Sequence, residues 1–296
     1  MKPMKKLVSI ILNCYNGEKY LKEALSSVEA QTYKNWELIF LDNQSQDKSK
    51  LILKSYKNKK FRYFKTKKHL SLYSARNLAI KKTKGEFISF IDSDDTWQKK
   101  KLENQLKLFK NKNTSVVYGN LFVKKNKKIR KYFNYNLKKG YLYKDLIRNY
   151  NIGILTVVIK KKILIKEKKI FNNKYNIIGD FDLFLRLSKK HYFQVVQKPV
   201  ATYRIHNKNL SLLNRKLEVD EYKDWYKKNK NQLDSEEKKI VLKKITNIEF
   251  TSYKFEKNIF KTLIFFIKKK QYLTSFKNIA VLICPRFILK KYMLFA

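Results

Sequence analysis

A group of acidic residues follows an apolar segment near the end of the first third of the sequence. Asp92, Asp94 and Asp95 come directly after the run EFISFI, with Ser93 between the first two. Alternating carboxylates at such a point can place oxygen atoms around a hard divalent cation such as Mg²⁺ or Mn²⁺. The cation would neutralise charge that develops on a departing nucleoside diphosphate. An Asp-x-Asp pair is common, and the alternative interpretation is a solvated turn or a helix cap.

Two further polar side chains lie at the ends of predicted strands. Asn13 closes the apolar run Leu7–Asn13, and Asp42 follows the run Trp36–Leu41. In an open parallel sheet, ligands bind at the carboxyl ends of the strands. We therefore expect Asn13, Asp42 and Asp92 to converge at one edge, and this convergence favours a binding site over an isolated turn.

The elements that must position these residues alternate along the first half of the chain. The predicted strands are Leu7–Asn13, Trp36–Leu41, Phe61–Lys65, Glu86–Ile91 and Val116–Asn120, and the predicted helices are Glu18–Gln31, Asp47–Lys57, Ser71–Lys81 and Trp97–Phe109. Such alternation predicts an α/β fold with a mostly parallel, Rossmann-like sheet flanked by helices. Weaker patterns follow, with helices predicted at Leu142–Asn149 and Asp180–Lys190 and strands at Thr156–Ile159 and Phe193–Val196.

The composition allows a packed core but is strongly basic. Hydrophobic residues make up 44% of the 296 residues, which argues against global disorder, and the formal net charge is +45. A charge of this size suits an anionic partner such as nucleic acid, a phosphate-rich substrate or an acidic membrane. Only eight of the 69 basic residues are arginine, and lysine is spread along the whole chain. This pattern favours compositional drift over a surface that reads nucleic acid.

Cysteine usage and hydropathy bear on the compartment. Cys14 and Cys284 lie at opposite ends of the sequence without zinc-type spacing, and they imply no disulfide framework. The apolar run Leu7–Leu12 is too short for a signal-peptide core, and no stretch approaches the roughly 20 apolar residues that span a bilayer. We expect a cytoplasmic protein, with peripheral attachment to the inner face of the cell membrane as an option.

Three segments, in their order and spacing, resemble the family 2 glycosyltransferases of bacterial type, which have the GT-A fold. They are VSIILNCYNGEKYLKEALSSVEAQTYKNWELIFLDNQSQDKS, SLYSARNLAIKKTKGEFISFIDSDDTW and IIGDFDLFLRLSKK, and the similarity covers about residues 6–211. The resemblance implies an inverting, divalent-metal-dependent hexosyltransferase that uses a nucleotide-diphosphate sugar, with a UDP-sugar preferred. The implied acceptor is a hydroxyl of a glycan or a lipid-linked saccharide, in cell-surface polysaccharide or lipooligosaccharide biosynthesis.

The resemblance also implies where the donor binds. The implied donor-nucleotide residues are Asn13, Tyr15, Asn16, Asp42, Arg76, Asp92 and Ser93. Tyr15 offers a ring for stacking, and Asp42 would accept hydrogen bonds from the base edge, although capping of its strand is an alternative role. Arg76 would pair with the diphosphate or form a structural ion pair with the acidic segment.

For the metal, the resemblance implies Mn²⁺ or Mg²⁺ held by Asp92, Asp94 and His206, the last in a predicted loop beside Arg204. Asp180 is expected to be the catalytic base that removes the acceptor hydroxyl proton. Gly179 stands where the family usually has Glu, which puts the acceptor contacts in doubt.

Weaker candidates for diphosphate or acceptor contacts are Arg204, Asp182 and Asp95. Asp182 lies two positions after Asp180, so the two side chains cannot share a helical face, and we expect Asp182 to cap its helix.

The chain is predicted to have two parts. We expect a catalytic domain over residues 1–215 and a helical, lysine-rich extension over residues 216–296. Two apolar segments in the extension, Ile259–Ile267 and Val281–Phe295, are edged by lysines. They fit either helices lying in an anionic membrane interface or a helix pair packed on the catalytic domain.

Two other classes of protein remain open from the sequence. A basic nucleic-acid-binding protein would suit the charge, but the sequence has no helix-turn-helix, zinc-finger or RNA-binding signature, so no specific nucleic acid is expected. Gly179 also keeps open a catalytically degenerate scaffold that binds a nucleotide sugar.

Overall fold

A computed structural model describes residues 6–255 of the protein except Lys168, without the side chains of residues 211–212 and 253–255. The chain divides into two compact units, residues 1–241 and residues 242–296. The segments Ile259–Ile267 and Val281–Phe295, for which we expect interfacial or packed helices, lie outside the described residues. The expected domain boundary at residue 215 stays a prediction.

Nine strands of the described residues form one mixed sheet in the first unit. They are β1 (Val8–Cys14), β2 (Trp36–Asp42), β3 (Phe61–Lys65), β4 (Phe87–Asp92), β5 (Thr96–Trp97), β6 (Thr114–Lys125), β7 (Lys128–Lys131), β8 (Val158–Lys160) and β9 (Tyr192–Ile205). Their order is β3-β2-β1-β4-β8-β6-β9-β5, with β7 paired to β6. The first four strands run parallel, and antiparallel pairing begins where β8 joins β4.

Ten α-helices of the described residues connect these strands or follow them. They are α1 (Glu18–Glu29), α2 (Ser49–Ser55), α3 (Leu72–Lys81), α4 (Lys101–Leu108), α5 (Tyr143–Arg148), α6 (Lys161–Ile165), α7 (Gly179–Lys190), α8 (Leu210–Leu213), α9 (Arg215–Asn229) and α10 (Ser235–Phe255). None of these helices is both long enough and apolar enough to cross a bilayer.

The core explains why the parallel half of the sheet is so regular. β2 is buried along its whole length, and β1 and β4 are buried at nearly every position, as expected for strands covered on both faces. Helix α1 covers them with Leu21, Ala24, Leu25 and Val28, which recur at helical spacing and are fully buried. Burial of each larger side chain contributes roughly 1.5–3 kcal/mol.

Two elements differ from the sequence-based expectation. Trp97 was expected to begin a helix, but it lies in the short strand β5, because Thr96 and Trp97 pair with Thr202 and Ala201 of β9. The strand expected at Phe193–Val196 continues to Ile205, although it contains Pro199, because irregular register between β6 and β9 accommodates the proline. Both differences come from pairing between residues that are distant in the sequence, such as Thr96 with Thr202 and Asn120 with Pro199, which local patterns do not encode.

Candidate active site

The acidic segment after β4 forms a tight turn at the carboxyl edge of the parallel strands. Asp92 ends β4 and lies beside Asn13 of β1 in the sheet register. The backbone N–H of Asp95 donates to the Asp92 carbonyl over 3.2 Å, which closes the turn. Ser93 packs against the loop after β1, since a Cβ added at Gly17 would lie 2.8 Å from its Oγ.

Asp92 is paired with Arg76 of α3. An Nη2 atom of Arg76 lies 2.6 Å from Oδ1 of Asp92. The arginine side chain is 4% exposed and the aspartate side chain is 34% exposed, so the guanidinium lies behind a carboxylate that remains open to solvent. Of the two roles considered for Arg76, the ion pair is present in the structure, and contact with a diphosphate stays a prediction.

Asp94 is held by the residues that follow β9. Its Oδ2 lies 2.8 Å from Nε2 of His206 and 3.4 Å from Nδ2 of Asn209. Burial raises the pKa of the Asp94 carboxyl and the neighbouring Asp92 charge raises it further, whereas the hydrogen bond from His206 acts in the opposite direction. Two of the three expected metal ligands therefore lie in direct contact.

Arg204 and Asp95 brace the turn from behind. The Arg204 side chain donates from Nε to the Asp94 carbonyl over 2.9 Å and pairs with Glu23 at 2.6 Å. The Arg204 backbone N–H donates to Asp95 Oδ1 over 2.9 Å. Asp95 is almost completely buried, and burial raises its pKa well above the usual range, with the charges of Asp94 and Asp92 adding to the rise. In this structure both residues make contacts within the turn, and their contact with a diphosphate or an acceptor stays a prediction.

The donor atoms around the turn suit a small divalent cation that a substrate helps to hold. Within the described residues, no three His, Cys, Asp or Glu side chains form a ready-made metal cage. Mg²⁺ is usually held by one or two carboxylates together with water and phosphate oxygens, which is the arrangement that Asp92 and Asp94 could provide. Oδ2 of Asp95 is buried without a hydrogen-bond partner in the described structure. The residues therefore fit Mg²⁺ or Mn²⁺, and the ligand role expected for His206, which lies beside Asp94, stays a prediction.

The carboxyl end of β2 carries Asp42, the residue expected at the nucleotide base. Its Oδ1 accepts a hydrogen bond from the Ser45 backbone N–H over 2.8 Å, and its Oδ2 accepts one from the Tyr63 hydroxyl over 2.7 Å. Asp42 is 1% exposed. In this structure it thus caps the loop after β2, which is the alternative role considered for it.

Asn13 and Asn16 make local contacts on either side of Tyr15. Asn13 Nδ2 donates to the Leu72 carbonyl over 3.5 Å, and its Oδ1 is buried without a partner in the described structure. Asn16 has a φ of 50°, a left-handed conformation that asparagine tolerates, and its Oδ1 accepts from the Gln46 backbone N–H over 2.9 Å. Asn16 therefore shapes the loop that presents Tyr15.

An open aromatic pair lies near these residues. The ring of Tyr15, which is 55% exposed, has its centroid 4.4 Å from that of His69. Nδ1 of His69 lies 3.1 Å from the Asn43 carbonyl, and the Asn43 side chain exchanges two hydrogen bonds of 2.9 Å with the Leu70 backbone. No sequence pattern singles out His69, because its loop approaches Tyr15 only through the pairing of β2 with β3.

Asp180 lies in the first turn of α7, facing α3. The Tyr73 hydroxyl is 3.1 Å from its Oδ1, and the backbone N–H of Phe181 donates to the same oxygen over 2.9 Å. Burial raises the pKa of the Asp180 carboxyl, whereas the Arg76 charge, the Phe181 N–H and the hydroxyls of Tyr73 and Tyr150 act to lower it. The net rise suits a carboxylate that must accept a proton during a reaction.

Gly179 is in close contact with the ring of Tyr73. A Cβ added at position 179 would lie 2.5 Å from Cδ2 and 2.6 Å from Cε2 of that ring. Real Cβ atoms do not approach other heavy atoms this closely, so the ring fills the space of any side chain at this position. The departure from the usual Glu is therefore matched by a large aromatic residue on α3.

Asp182 lies apart from Asp180, as the helical spacing predicts. Its Oδ2 accepts from Nη2 of Arg186 over 3.1 Å, and its Oδ1 accepts from Trp225 Nε1 over 3.1 Å. The residue does not cap the helix, because it pairs with a side chain one turn later and with α9. The structure does not bring it to the site formed by Asp92, Asp94 and Asp180.

Glu221 of α9 holds the segment that leads to Asp180. Its carboxylate accepts three backbone hydrogen bonds, from Asn176 over 2.6 Å, Ile177 over 2.9 Å and Ile178 over 3.0 Å. Ile178 is the residue directly before α7, so a negative charge lies at the positive end of that helix. Sequence analysis missed Glu221, since it lies in a lysine-rich segment that resembles no motif.

Comparison with known proteins gives one consistent result at the level of sequence. The sequence model described as glycosyl transferase family 2 matches residues 9–171. WfgD of Escherichia coli, named as a UDP-Glc:alpha-D-GlcNAc-diphosphoundecaprenol beta-1,3-glucosyltransferase, is 37% identical over 158 residues, which cover 53% of this chain and 62% of that one. TuaG of Bacillus subtilis, named for teichuronic acid biosynthesis, is 28% identical over 212 residues, which cover 70% of this chain and 82% of that one.

Solved structures show the same fold. TarS 1-349 from S. aureus has a TM-score of 0.61 at 20% identity, and the match covers 82% of this chain and 72% of that one. A mannosyltransferase from Pyrobaculum calidifontis, solved with GDP-Man and Mn²⁺, has a TM-score of 0.63 at 13% identity and covers 95% of this chain and 79% of that one. These similarities confirm the expected GT-A fold.

Proposed function

Since the chain belongs to glycosyl transferase family 2, we propose that it transfers a sugar from a nucleotide-diphosphate sugar to a hydroxyl group of an acceptor, with inversion at the anomeric carbon. The observation that carries this proposal is that Arg76 acts on two carboxylates. Arg76 forms an ion pair with Asp92 at 2.6 Å and lowers the pKa of Asp180 by its charge. One buried guanidinium thus interacts with both the proposed base and the proposed diphosphate-binding turn.

The proposed reaction needs one proton transfer and one displacement. A carboxylate oxygen of Asp180 takes the proton of the acceptor hydroxyl while that oxygen attacks the anomeric carbon of the donor sugar. The bond from that carbon to the diphosphate oxygen breaks on the opposite face, and the nucleoside diphosphate departs. A divalent cation held at Asp92, Asp94 and His206 would supply charge neutralisation for the departing diphosphate. Arg76 pairs with the Asp92 carboxylate, and Arg204 holds the turn through the Asp94 carbonyl and the Asp95 carboxylate.

UDP-sugars are our first choice of donor. The E. coli relative is named for UDP-Glc, and TarS 1-349 has been solved with UDP-GlcNAc. Tyr15, with its exposed ring beside His69, offers a stacking face for a base. The Pyrobaculum neighbour was solved with GDP-Man, so a guanosine donor belongs in the same test.

For the acceptor we propose a glycan or a lipid-linked saccharide used in cell-surface polysaccharide synthesis. The E. coli relative is named for an acceptor linked to diphosphoundecaprenol, and the Bacillus relative is named for teichuronic acid synthesis. A net charge of +45 would attract the chain to an anionic membrane surface, where a lipid-linked acceptor would lie. A cytoplasmic, peripheral location is part of the proposal.

Donor hydrolysis tests the proposed function. Purified protein is incubated with UDP-, GDP- and dTDP-sugars in the presence of Mn²⁺, Mg²⁺ or EDTA, and nucleoside diphosphate release is measured. We expect release from one donor, its loss with EDTA, and a fall of at least about a hundredfold in Asp94→Asn. The matched control is Asp145→Asn, which alters a carboxylate on α5 that pairs with Lys138, outside the site.

A negative hydrolysis result needs a second measurement, because some transferases act only when an acceptor is present. Donor and metal binding is then followed by the shift in melting temperature. If neither nucleotide sugars nor metal stabilise the protein, the transferase proposal is abandoned in favour of a scaffold. Binding without turnover of any donor-acceptor pair would support the degenerate scaffold that binds a nucleotide sugar.

A further inference from the structure

Tyr73 of α3 lies in a fixed position against the residue before the proposed base. The ring contacts Gly179 so closely that an added Cβ would meet three ring atoms within 2.7 Å. The ring also stacks on Phe171, with centroids 5.0 Å apart. Tyr73 is 2% exposed. The position of its hydroxyl is therefore set by packing of the ring against Gly179 and Phe171.

The Tyr73 hydroxyl has two acceptors at the same distance. It lies 3.1 Å from Oδ1 of Asp180 and 3.1 Å from the backbone carbonyl of Ile177. A phenol carries one hydrogen, which can point to either of two acceptors as it turns about the C–O bond. An ionised carboxylate accepts this hydrogen bond more strongly than a backbone carbonyl does. A protonated carboxyl group accepts it less strongly than that carbonyl.

We propose that Tyr73 is a positioning residue that serves both protonation states of Asp180, by donating to Asp180 when it is ionised and to Ile177 when it is protonated. This inference rests on the proposed function, in which Asp180 is the base. It goes further in assigning to Tyr73 the task of holding the carboxylate before and after proton transfer.

The hydrogen-bond exchange keeps every proton accounted for. Before transfer, the Tyr73 hydrogen and the Phe181 N–H both point to Oδ1, and in the proposal Oδ2 receives the proton of the acceptor hydroxyl. After transfer, Oδ2 carries that proton and the carboxyl group is neutral. The Tyr73 hydrogen then turns to the Ile177 carbonyl, and no bond other than hydrogen bonds changes at Tyr73. Burial raises the pKa of the Tyr73 hydroxyl well above its usual value, so it stays protonated throughout.

Several charged and titratable groups face Asp180 and belong in any account of its titration. Arg76 acts with Tyr73 from α3, Tyr150 approaches from the segment after α5, and Tyr222 approaches from α9. Arg76 and the hydroxyls of Tyr73 and Tyr150 favour the ionised carboxylate. The Tyr73 hydroxyl also has a second acceptor at the same distance, the Ile177 carbonyl.

The substitution Tyr73→Phe tests the proposal, because it keeps the ring against Gly179 and removes only the hydroxyl. Protein labelled with ¹³C at the aspartate carboxyl carbon is titrated by NMR, and the Asp180 resonance is identified by its absence in Asp180→Asn. We expect the pKa of Asp180 to rise by about one unit, because a donor to the ionised form has been lost. The acid limb of the pH–rate profile should shift upward by the same amount, with the KM for the donor unchanged.

The matched control is Tyr118→Phe, which removes a buried hydroxyl bonded to the Lys138 carbonyl at 2.6 Å. It should leave the Asp180 titration unchanged. A Tyr73→Phe titration that coincides with the wild type overturns the proposal. If that variant does not fold, Gly179→Ala is titrated instead, since the methyl group displaces the ring and should raise the pKa in the same way. An unchanged pKa in Gly179→Ala also overturns it.

Failure of this inference can be told apart from failure of the proposed function. The NMR titration measures the effect of Tyr73 on the pKa of Asp180 without any turnover, so it gives a result even if the protein uses no donor. Absence of transfer with every donor would remove the assigned base role, and with it the inference, whatever the titration shows. Active transfer with a Tyr73-independent titration would leave the proposed function in place and remove only the role of Tyr73.

Discussion

Individual carboxylates in this protein are distinguished by the side chains that hold them. Asp92, partly exposed, is backed by a buried arginine, whereas Asp95 is buried and accepts a hydrogen bond from the Arg204 backbone. Asp182 accepts hydrogen bonds from Arg186 and Trp225. The same residue type thus appears as a candidate ligand, as a support for a turn and as a link between helices. Only the partners separate these roles, and most of the partners are distant in the sequence.

We predict that activity depends on the guanidinium group of Arg76 and not on its charge alone. In Arg76→Lys the charge is kept, but the planar group that reaches Asp92 while facing Tyr73 is lost. We expect nucleoside diphosphate release to fall by about a hundredfold or more, the range seen when one preorganised donor is removed from an active site. Circular dichroism and melting temperature establish that the variant is folded.

The control for this prediction is Arg62→Lys. Arg62 also forms a 2.6 Å ion pair, with Glu37, but it lies on β3 outside the site. If Arg76→Lys retains wild-type activity while folded, the guanidinium does not connect the two carboxylates in the way that we propose.

Single elements carry features that no ligand requires, and α4 is the clearest case. Its first residue, Lys101, is 1% exposed, with Nζ 2.9 Å from Ser89 Oγ and 2.8 Å from Gln105 Oε1. Nζ also lies 4.1 Å from the centre of the Trp97 ring. These contacts join α4 to β4 and β5, so the lysine contributes to the position of the strand that ends at Asp92.

We predict that the buried Lys101 makes the stability of the protein depend on pH. Burial lowers its pKa well below the usual value. As pH falls below about 10, the unfolded chain binds a proton at this lysine and the folded chain does not, so the unfolded state gains stability. The free energy of unfolding of the wild type should therefore fall relative to that of Lys101→Met, by up to about 1.4 kcal/mol per pH unit.

Urea denaturation of both proteins between pH 7 and pH 10 measures this difference. The control pair is the wild type and Lys107→Met, since Lys107 is exposed on the same helix and pairs with Glu103 at the surface. If the free energy of unfolding varies with pH in the same way in the wild type and in Lys101→Met, the buried amine stays protonated in the folded protein.

At the scale of the whole molecule, the C-terminal part of the first unit contributes to the site. Helix α9 begins at Arg215, where we expected the catalytic domain to end, yet it contacts the segment before α7 through Glu221 and Asp224 and contacts α7 itself through Trp225. Tyr175 donates to Asp224 over 3.1 Å in the same region. The helix therefore participates in positioning the proposed base, although no residue of α9 resembles a glycosyltransferase motif.

Glu221→Gln tests this contribution. The carboxylate accepts three backbone hydrogen bonds, and an amide would accept fewer and weaker ones, so we expect a loss of about 1–3 kcal/mol in the free energy of unfolding. Transfer should slow because the proposed base, Asp180, is displaced. Donor binding should be retained because the residues at the carboxyl ends of β1, β2 and β4 stay in place. Asp220→Asn, the exposed neighbour on the same helix, is the control. Unchanged transfer in a destabilised Glu221→Gln would show that α9 supports the fold alone.

The parts of the molecule that could be predicted from sequence are those set by local pattern. The strands β1 to β4 and the convergence of Asn13, Asp42 and Asp92 at their ends followed from apolar runs that end in polar residues. The contact of Asp94 with His206 could be expected only from family resemblance, since the two residues are 112 positions apart. Tyr73, His69 and Glu221 could not be found, because their roles arise from packing between loops and helices.

The close contact between Tyr73 and Gly179 also has a consequence for evolution. A mutation that gives position 179 a side chain meets the ring at once, and a mutation that shrinks position 73 leaves a void beside the proposed base. Either change alone is unfavourable, so a lineage can move from one arrangement to the other only by changing both positions nearly together. Descendants of a common ancestor should therefore carry a large residue at 73 with glycine at 179, or a small residue at 73 with a larger one at 179. An alignment in which the two positions vary independently would contradict this expectation.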